Sequence, residues 1–141
     1  MVRIKFSGYR AGMARIAGWI AGAIALACAF PRHDLWILAW VCLIPLMHAV
    51  SGRPLREVLR TGWLFATLSF AVSFAWVTHS MVVYGGLPWP LAGIALLIMA
   101  GICGLFPAAA AVSAEWANRH PTRPVPMEIG WPVFWIAAEY A

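Results

Sequence analysis

Glu139 is the residue with the sharpest chemical implication in this chain of 141 residues. It lies ten residues into an apolar run that starts at Ile129, which as a helix puts it about 15 Å deep, near a bilayer midplane. A lone carboxylate there is costly and marks a functional site by default; the alternative is an oblique segment that carries it into a polar cavity or to the outer interface. His79 and Ser80 are adjacent, so on a helix their side chains leave about 100° apart and form no nucleophile and base pair. They read as interfacial polar residues. His33 and Asp34 are likewise adjacent and miss the H-x-x-x-x-D spacing by which an aspartate orients a histidine base. Cys28, Cys42 and Cys103 sit in apolar sequence without a C-x-x-C pair, which indicates buried small hydrophobes in place of a metal site or disulfide framework. G-x-S-x-G, H-E-x-x-H and phosphate-cradling glycine loops are absent, so the residues themselves assign no catalytic group, cofactor or metal.

The elements that hold these residues are set by composition. Hydrophobic residues make up 63% of the chain and charged ones 11%, with a mean hydropathy of +0.81. So few charges cannot clothe a water-soluble exterior of this size. The net charge of +5 does not point to nucleic acid, because the basic residues punctuate apolar runs and form no aromatic-flanked patch.

The spacing predicts an all-α, polytopic transmembrane bundle with four full spans, at about 13–30, 35–50, 61–83 and 91–114, and a truncated fifth at 129–141. Basic residues before the first run resemble a signal peptide, but further spans follow, which favours an uncleaved anchor. Pro31 ends the first run and Asp34 is placed to cap the next helix. Residues 51–60 form a polar connection whose Leu55, Val58 and Leu59 share a face suited to the membrane surface. Gly85-Gly86-Leu87-Pro88-Trp89-Pro90 closes the third span, and 118–127 is a second polar linker. Thirteen residues of the fifth run reach only about 20 Å, so the chain is expected to stop inside the membrane.

Orientation follows from charge. With the N-terminus cytoplasmic, nine basic residues (Arg3, Lys5, Arg10, Arg15, Arg53, Arg56, Arg60, Arg119 and Arg123) fall inside, and only Arg32 falls outside. Trp36, Trp76 and Trp89 then lie near the outer interface, and Trp63, Trp116 and Trp131 near the inner one. Ala17, Ala21, Ala25 and Ala29 recur every four residues beside the G-x-x-x-G of Gly18 and Gly22, a face for close helix packing. Glu115 and Arg119 are spaced as a surface ion pair, and His48 and His120 stand near the cytoplasmic boundary.

Ala29-Phe30-Pro31, Asp34-Leu35-Trp36, Leu38-Ala39-Trp40, Gly52-Arg53-Pro54 and Gly62-Trp63-Leu64-Phe65 occur in an order that resembles the opening of the apolipoprotein N-acyltransferase family. Trp76-Val77 with Ser80, then Tyr84-Gly85-Gly86-Leu87-Pro88, resembles the family's W-[IV]-x-x-S followed by [FY]-G-G-[LM]-P, and Trp135 to Tyr140 is similar to its tryptophan-to-glutamate stretch. Thr78-His79 departs from the pattern, where an aromatic and a small aliphatic residue are usual. The resemblance runs from about residue 15 to the end. It implies a bacterial inner-membrane enzyme that moves an acyl chain from a phospholipid to the amino group of a lipidated apolipoprotein's N-terminal cysteine, through a cysteine thioester. It also implies that the family's catalytic glutamate, lysine and cysteine belong to a later nitrilase-like periplasmic domain and map onto nothing here, so the chain alone is expected to be inactive. Trp76, Ser80, Gly85 and Gly86 are then expected to shape a lipid or substrate rim, and Glu139 is counted with them as a further residue of that rim or of a structural motif. The competing expectation is a small membrane binding module or transporter subunit, complete at Ala141, with Glu139 as its proton or ligand site.

Overall fold

A chain this apolar must satisfy its backbone N–H and C=O groups within its own segments, and helices do so. The computed structural model describes residues 4–29, 35, 37, 38 and 41–140, and among these the fold is all-helical, without a strand. The helices are α1 (Ile4–Cys28), α2 (Ile44–Val50), α3 (Leu55–Ser73), α4 (Ala75–Val83), α5 (Trp89–Cys103), α6 (Leu105–Asn118) and α7 (Met127–Glu139).

Proline sets most of the starts. Pro54, Pro88 and Pro126 hold extended backbone immediately before α3, α5 and α7, and Pro45 and Pro90 sit in first turns, where a missing N–H leaves no bond unmade. The prolines and glycines of the sequence therefore mark real boundaries.

Small residues let the helices close on one another. A Cβ on Gly22 of α1 would stand 2.4 Å from the Cys42 carbonyl oxygen, and one on Gly62 of α3 would touch Ala111 of α6 at 3.4 Å. Buried Ala108, Ala110, Ala111 and Ala114 give α6 a thin face, against which α3 and α7 pack. Phe65, Leu46, Val50, Val58 and Trp131 fill the space left over. The Ser69 hydroxyl is shared between Phe65 O at 2.9 Å and Ala23 O of α1 at 3.2 Å, and the Trp63 indole N–H donates to Gly101 O of α5 at 2.8 Å. Ala17 and Ala21 of the four-residue alanine stripe are exposed, whereas Gly18, Gly22, Ala23 and Ala27 form the packed face of α1.

Length and composition single out Trp89–Asn118, α5 and α6 with only a one-residue interruption at Gly104, as a helix able to cross a membrane: its 30 residues extend about 45 Å. It contains the expected fourth span. The third expected span is α3 and α4 together, bent by 49° at Phe74, and counts as a second crossing if the pair is one broken span. The apolar part of α1, Gly12–Cys28, is shorter, and α7 has 13 residues. Within 35–50 the described helix is confined to the seven residues of α2. Pro31, Arg32, His33, Asp34 and Trp36 lie outside the described residues, and with them the break and the cap expected there.

Three expectations are corrected. Residues 55–60, expected on the membrane surface, are the first turns of α3, with Val58 fully buried. Trp131, expected in an interfacial belt, is 1% exposed and belongs to the core, because α7 lays its first turns on the alanine face of α6. Glu115, expected on the surface, is 0% exposed: the 51–54 connection folds over it and supplies the Gly52 N–H, 3.1 Å from Oε1.

Candidate functional site

The bend of 49° at Phe74 turns α4 away from the line of α3. α4 is held at its far end by a glycine turn. The Tyr84, Gly86 and Leu87 N–H groups donate to Ser80 O, Val82 O and Met81 O at 3.0, 3.2 and 3.2 Å, so the last carbonyls of α4 are capped. Gly85 leaves room for this arrangement: a Cβ there would sit 2.6 Å from the Met81 oxygen that accepts Leu87. Gly86 has φ +66°, the left-handed region that a side chain disfavours.

Between α4 and the start of α5 lies an open depression of about 670 Å³, lined by Ala75, Trp76, Thr78, His79, Ser80 and Trp89. Trp76 and Trp89 are 57% and 59% exposed, so two indoles flank a floor that carries an imidazole and two hydroxyls. The Thr78 hydroxyl is committed to Ala75 O at 2.6 Å. No hydrogen bond joins His79 to Ser80 among the described residues, which agrees with their divergence on one helix. The lining offers donors from indole, imidazole and hydroxyl, and contains no carboxylate.

A second hollow of about 330 Å³ shares no lining residue with the first. Phe70, Phe74, Cys103, Phe106, Pro107, Trp135 and Ala138, drawn from α3, α5, α6 and α7 and the α3–α4 corner, make it almost wholly apolar. Phe70 and Phe74 stack at 5.7 Å with their rings 10° from parallel. No charged side chain lines it, so it can hold hydrocarbon, and Cys103 meets no base there.

The structure thus unites Trp76 and Ser80 in one depression and puts Gly85 and Gly86 in the turn that ends α4, outside its lining. Glu139 ends α7 next to Ala138, a wall of the second hollow, and its side chain lies outside the described residues. The sequence reading missed the second hollow. Its signal was Phe70 and Phe74, one helical turn apart, but the other walls come from three further helices. Among the described residues, no group of His, Cys, Asp and Glu could hold a metal ion.

Residues 22–141 match the family described as the apolipoprotein N-acyltransferase N-terminal domain. The chain is 28% identical over 121 residues to the apolipoprotein N-acyltransferase of Geobacter metallireducens, which covers 86% of this chain and 23% of that protein. It is 41% identical over 102 residues to that of Bordetella bronchiseptica, covering 68% and 19%, and 30% identical over 129 residues to that of Azotobacter vinelandii, covering 86% and 25%. The chain spans a quarter or less of the length of these curated relatives. No solved structure gives a significant match.

Proposed function

The chain belongs to the apolipoprotein N-acyltransferase family, matching its N-terminal domain, and from that premise we propose that it is the membrane-embedded part of an enzyme that moves an acyl chain from a phospholipid to the N-terminal lipidated cysteine of an apolipoprotein. The observation that carries this reading is the family match from residue 22 to residue 141, which includes every residue of the two hollows.

The geometry supports a role in holding substrate. The donor-rich depression suits a phospholipid headgroup and the apolar hollow suits an acyl chain, the two kinds of surface that a substrate lipid needs. Fixing a reacting group in this way converts a chance encounter into a positioned one. Trp76 and Ser80 contact the lipid in this reading, Gly85 and Gly86 shape the rim, and Glu139 belongs to the same rim or to a structural motif beside it. None of the 141 residues is given the role of nucleophile or base.

Location follows the same reading: a multi-pass protein of the bacterial inner membrane, with a cytoplasmic N-terminus and the depression on the outer face. Ile94, Leu97, Ile98, Ile102, Leu105 and Phe106 all project apolar side chains outward from α5 and α6, a surface that lipid covers without penalty. Four spans and a fifth at α7 fit the placement of nine basic residues on one side.

The test is a domain exchange. Residues 22–141 replace the matching segment of the Bordetella bronchiseptica relative, and the chimera is expressed while the host's own N-acyltransferase is depleted. Sustained growth is expected; arrest with the chimera intact in the membrane contradicts the proposal.

A further inference from the structure

Arg53, Arg56, Arg60, Arg119 and Arg123 lie in or beside the α2–α3 and α6–α7 connections. Two of them have explained charges: Arg119 is 2.8 Å from Glu115 and Arg53 is 3.7 Å from Glu57. Arg56 is exposed and has no carboxylate partner among the described residues. It stands at a groove of about 410 Å³ between α3 and α6, whose other walls are Leu55, Leu59, Ala109, Val112 and Ser113.

The groove combines two demands that few ligands meet together. Leu55, Leu59, Ala109 and Val112 present a wall suited to hydrocarbon, and Leu59 is left 46% exposed. Arg56 presents a guanidinium fork, which matches the oxygens of a phosphate, and Ser113 adds a hydroxyl donor. A soluble anion answers only the second demand and a neutral acyl chain only the first. The groove is also remote from the hollows described above, since Arg56 and Phe70 are 14 residues apart on α3, about 21 Å along its axis.

We propose that the α3–α6 groove is a binding site for an anionic phospholipid of the leaflet on the arginine-rich side. Its phosphate sits on Arg56 with Ser113 donating to it, and one acyl chain lies along Leu55, Leu59, Ala109 and Val112. The site rests on the membrane reading of the chain and is separate from the donor lipid's place at the other end of α3. It ties α3 to α6 across the surface that the protein's own side chains leave open.

The test reconstitutes the chain into vesicles of equimolar phosphatidylglycerol and phosphatidylcholine, extracts it in mild detergent and counts retained lipids by native mass spectrometry. Phosphatidylglycerol is expected in about fivefold excess, the factor that one arginine beside an anionic lipid surface gives. Arg56→Gln removes the excess, and so does Ala109→Phe, which fills the groove and keeps the charge; Arg123→Gln leaves it unchanged. Equal retention of both lipids by the wild-type chain, or an excess that survives Arg56→Gln and Ala109→Phe, overturns the site and leaves the membrane reading standing. A chain that does not enter these vesicles overturns the membrane reading and the site with it.

Discussion

The Arg119 guanidinium donates its Nε–H to the fully buried Glu115 carboxylate at 2.8 Å, one helical turn away on α6. The same guanidinium also donates to the Arg53 carbonyl oxygen, and the same carboxylate oxygen accepts the Gly52 N–H. One ion pair thereby fastens the α2–α3 connection to the end of α6, 63 residues further along the chain. Gly52 takes φ +73° to point its N–H inward.

Glu115→Ala is expected to destabilise the protein by about 2–3 kcal/mol, because it strands the Gly52 donor and the Arg119 charge together. Glu115→Gln keeps an acceptor for Gly52 and is expected to lose less. Thermal unfolding in detergent, followed by circular dichroism, measures both; equal and small losses would show that the contact is incidental.

Helix approach gives a second pair of outcomes. Gly22→Ala places a methyl 2.4 Å from the Cys42 carbonyl oxygen and is expected to cost about 1–3 kcal/mol, since backbone must move. Gly93→Ala meets nothing within 4 Å in α5 and is expected to gain up to about 1 kcal/mol through helix propensity. The same unfolding assay ranks the two variants, and a reversed order would refute the α1 packing described.

The three cysteines are expected to label unequally. Cys42 is 2% exposed, whereas Cys28 and Cys103 are partly exposed and Cys103 opens on the apolar hollow. In detergent, N-phenylmaleimide should modify Cys28 and Cys103 at least tenfold faster than Cys42, because a buried thiol must await local opening. Comparable rates for all three, read by peptide mass mapping, would contradict the packing around Cys42.

At the rim, Trp76→Ala and Ser80→Ala in the chimera are expected to lower N-acylation about tenfold or more, with little loss of folded protein, as misplaced substrate does. Gly86→Val is expected to lower both activity and stability, because the left-handed backbone costs a branched residue about 1–2 kcal/mol. Lipoprotein acylation and membrane protein levels, measured side by side, separate the two effects.

Although α3 starts six residues before the expected span, local signals in the sequence were sufficient for the helical class, for the proline and glycine turn at 85–90, for the start of the last helix to within two residues, and for the close approach at Gly18 and Gly22. Each depends on residues within a turn or two of one another. The fate of Glu115 was not legible, since an i,i+4 pair reads alike on a wet or a buried face, and the Gly52 donor lies far away in sequence. Trp131 was misplaced for the same reason: its cover is the alanine face of α6. Family resemblance drew attention to Trp76 and Ser80, which line one depression, while the apolar hollow takes its walls from α3, α5, α6 and α7 and from the bend at Phe74, which no proline or glycine announces.

The measurement that bears most directly on the proposed function is the mass of a lipoprotein's N-terminal peptide from cells that carry the chimera as their only N-acyltransferase. A peptide bearing a third acyl chain on its amino group is the expected result. A peptide that keeps a free amine, in cells whose membranes contain the intact chimera, would contradict the assignment of residues 22–141 to a working acyltransferase.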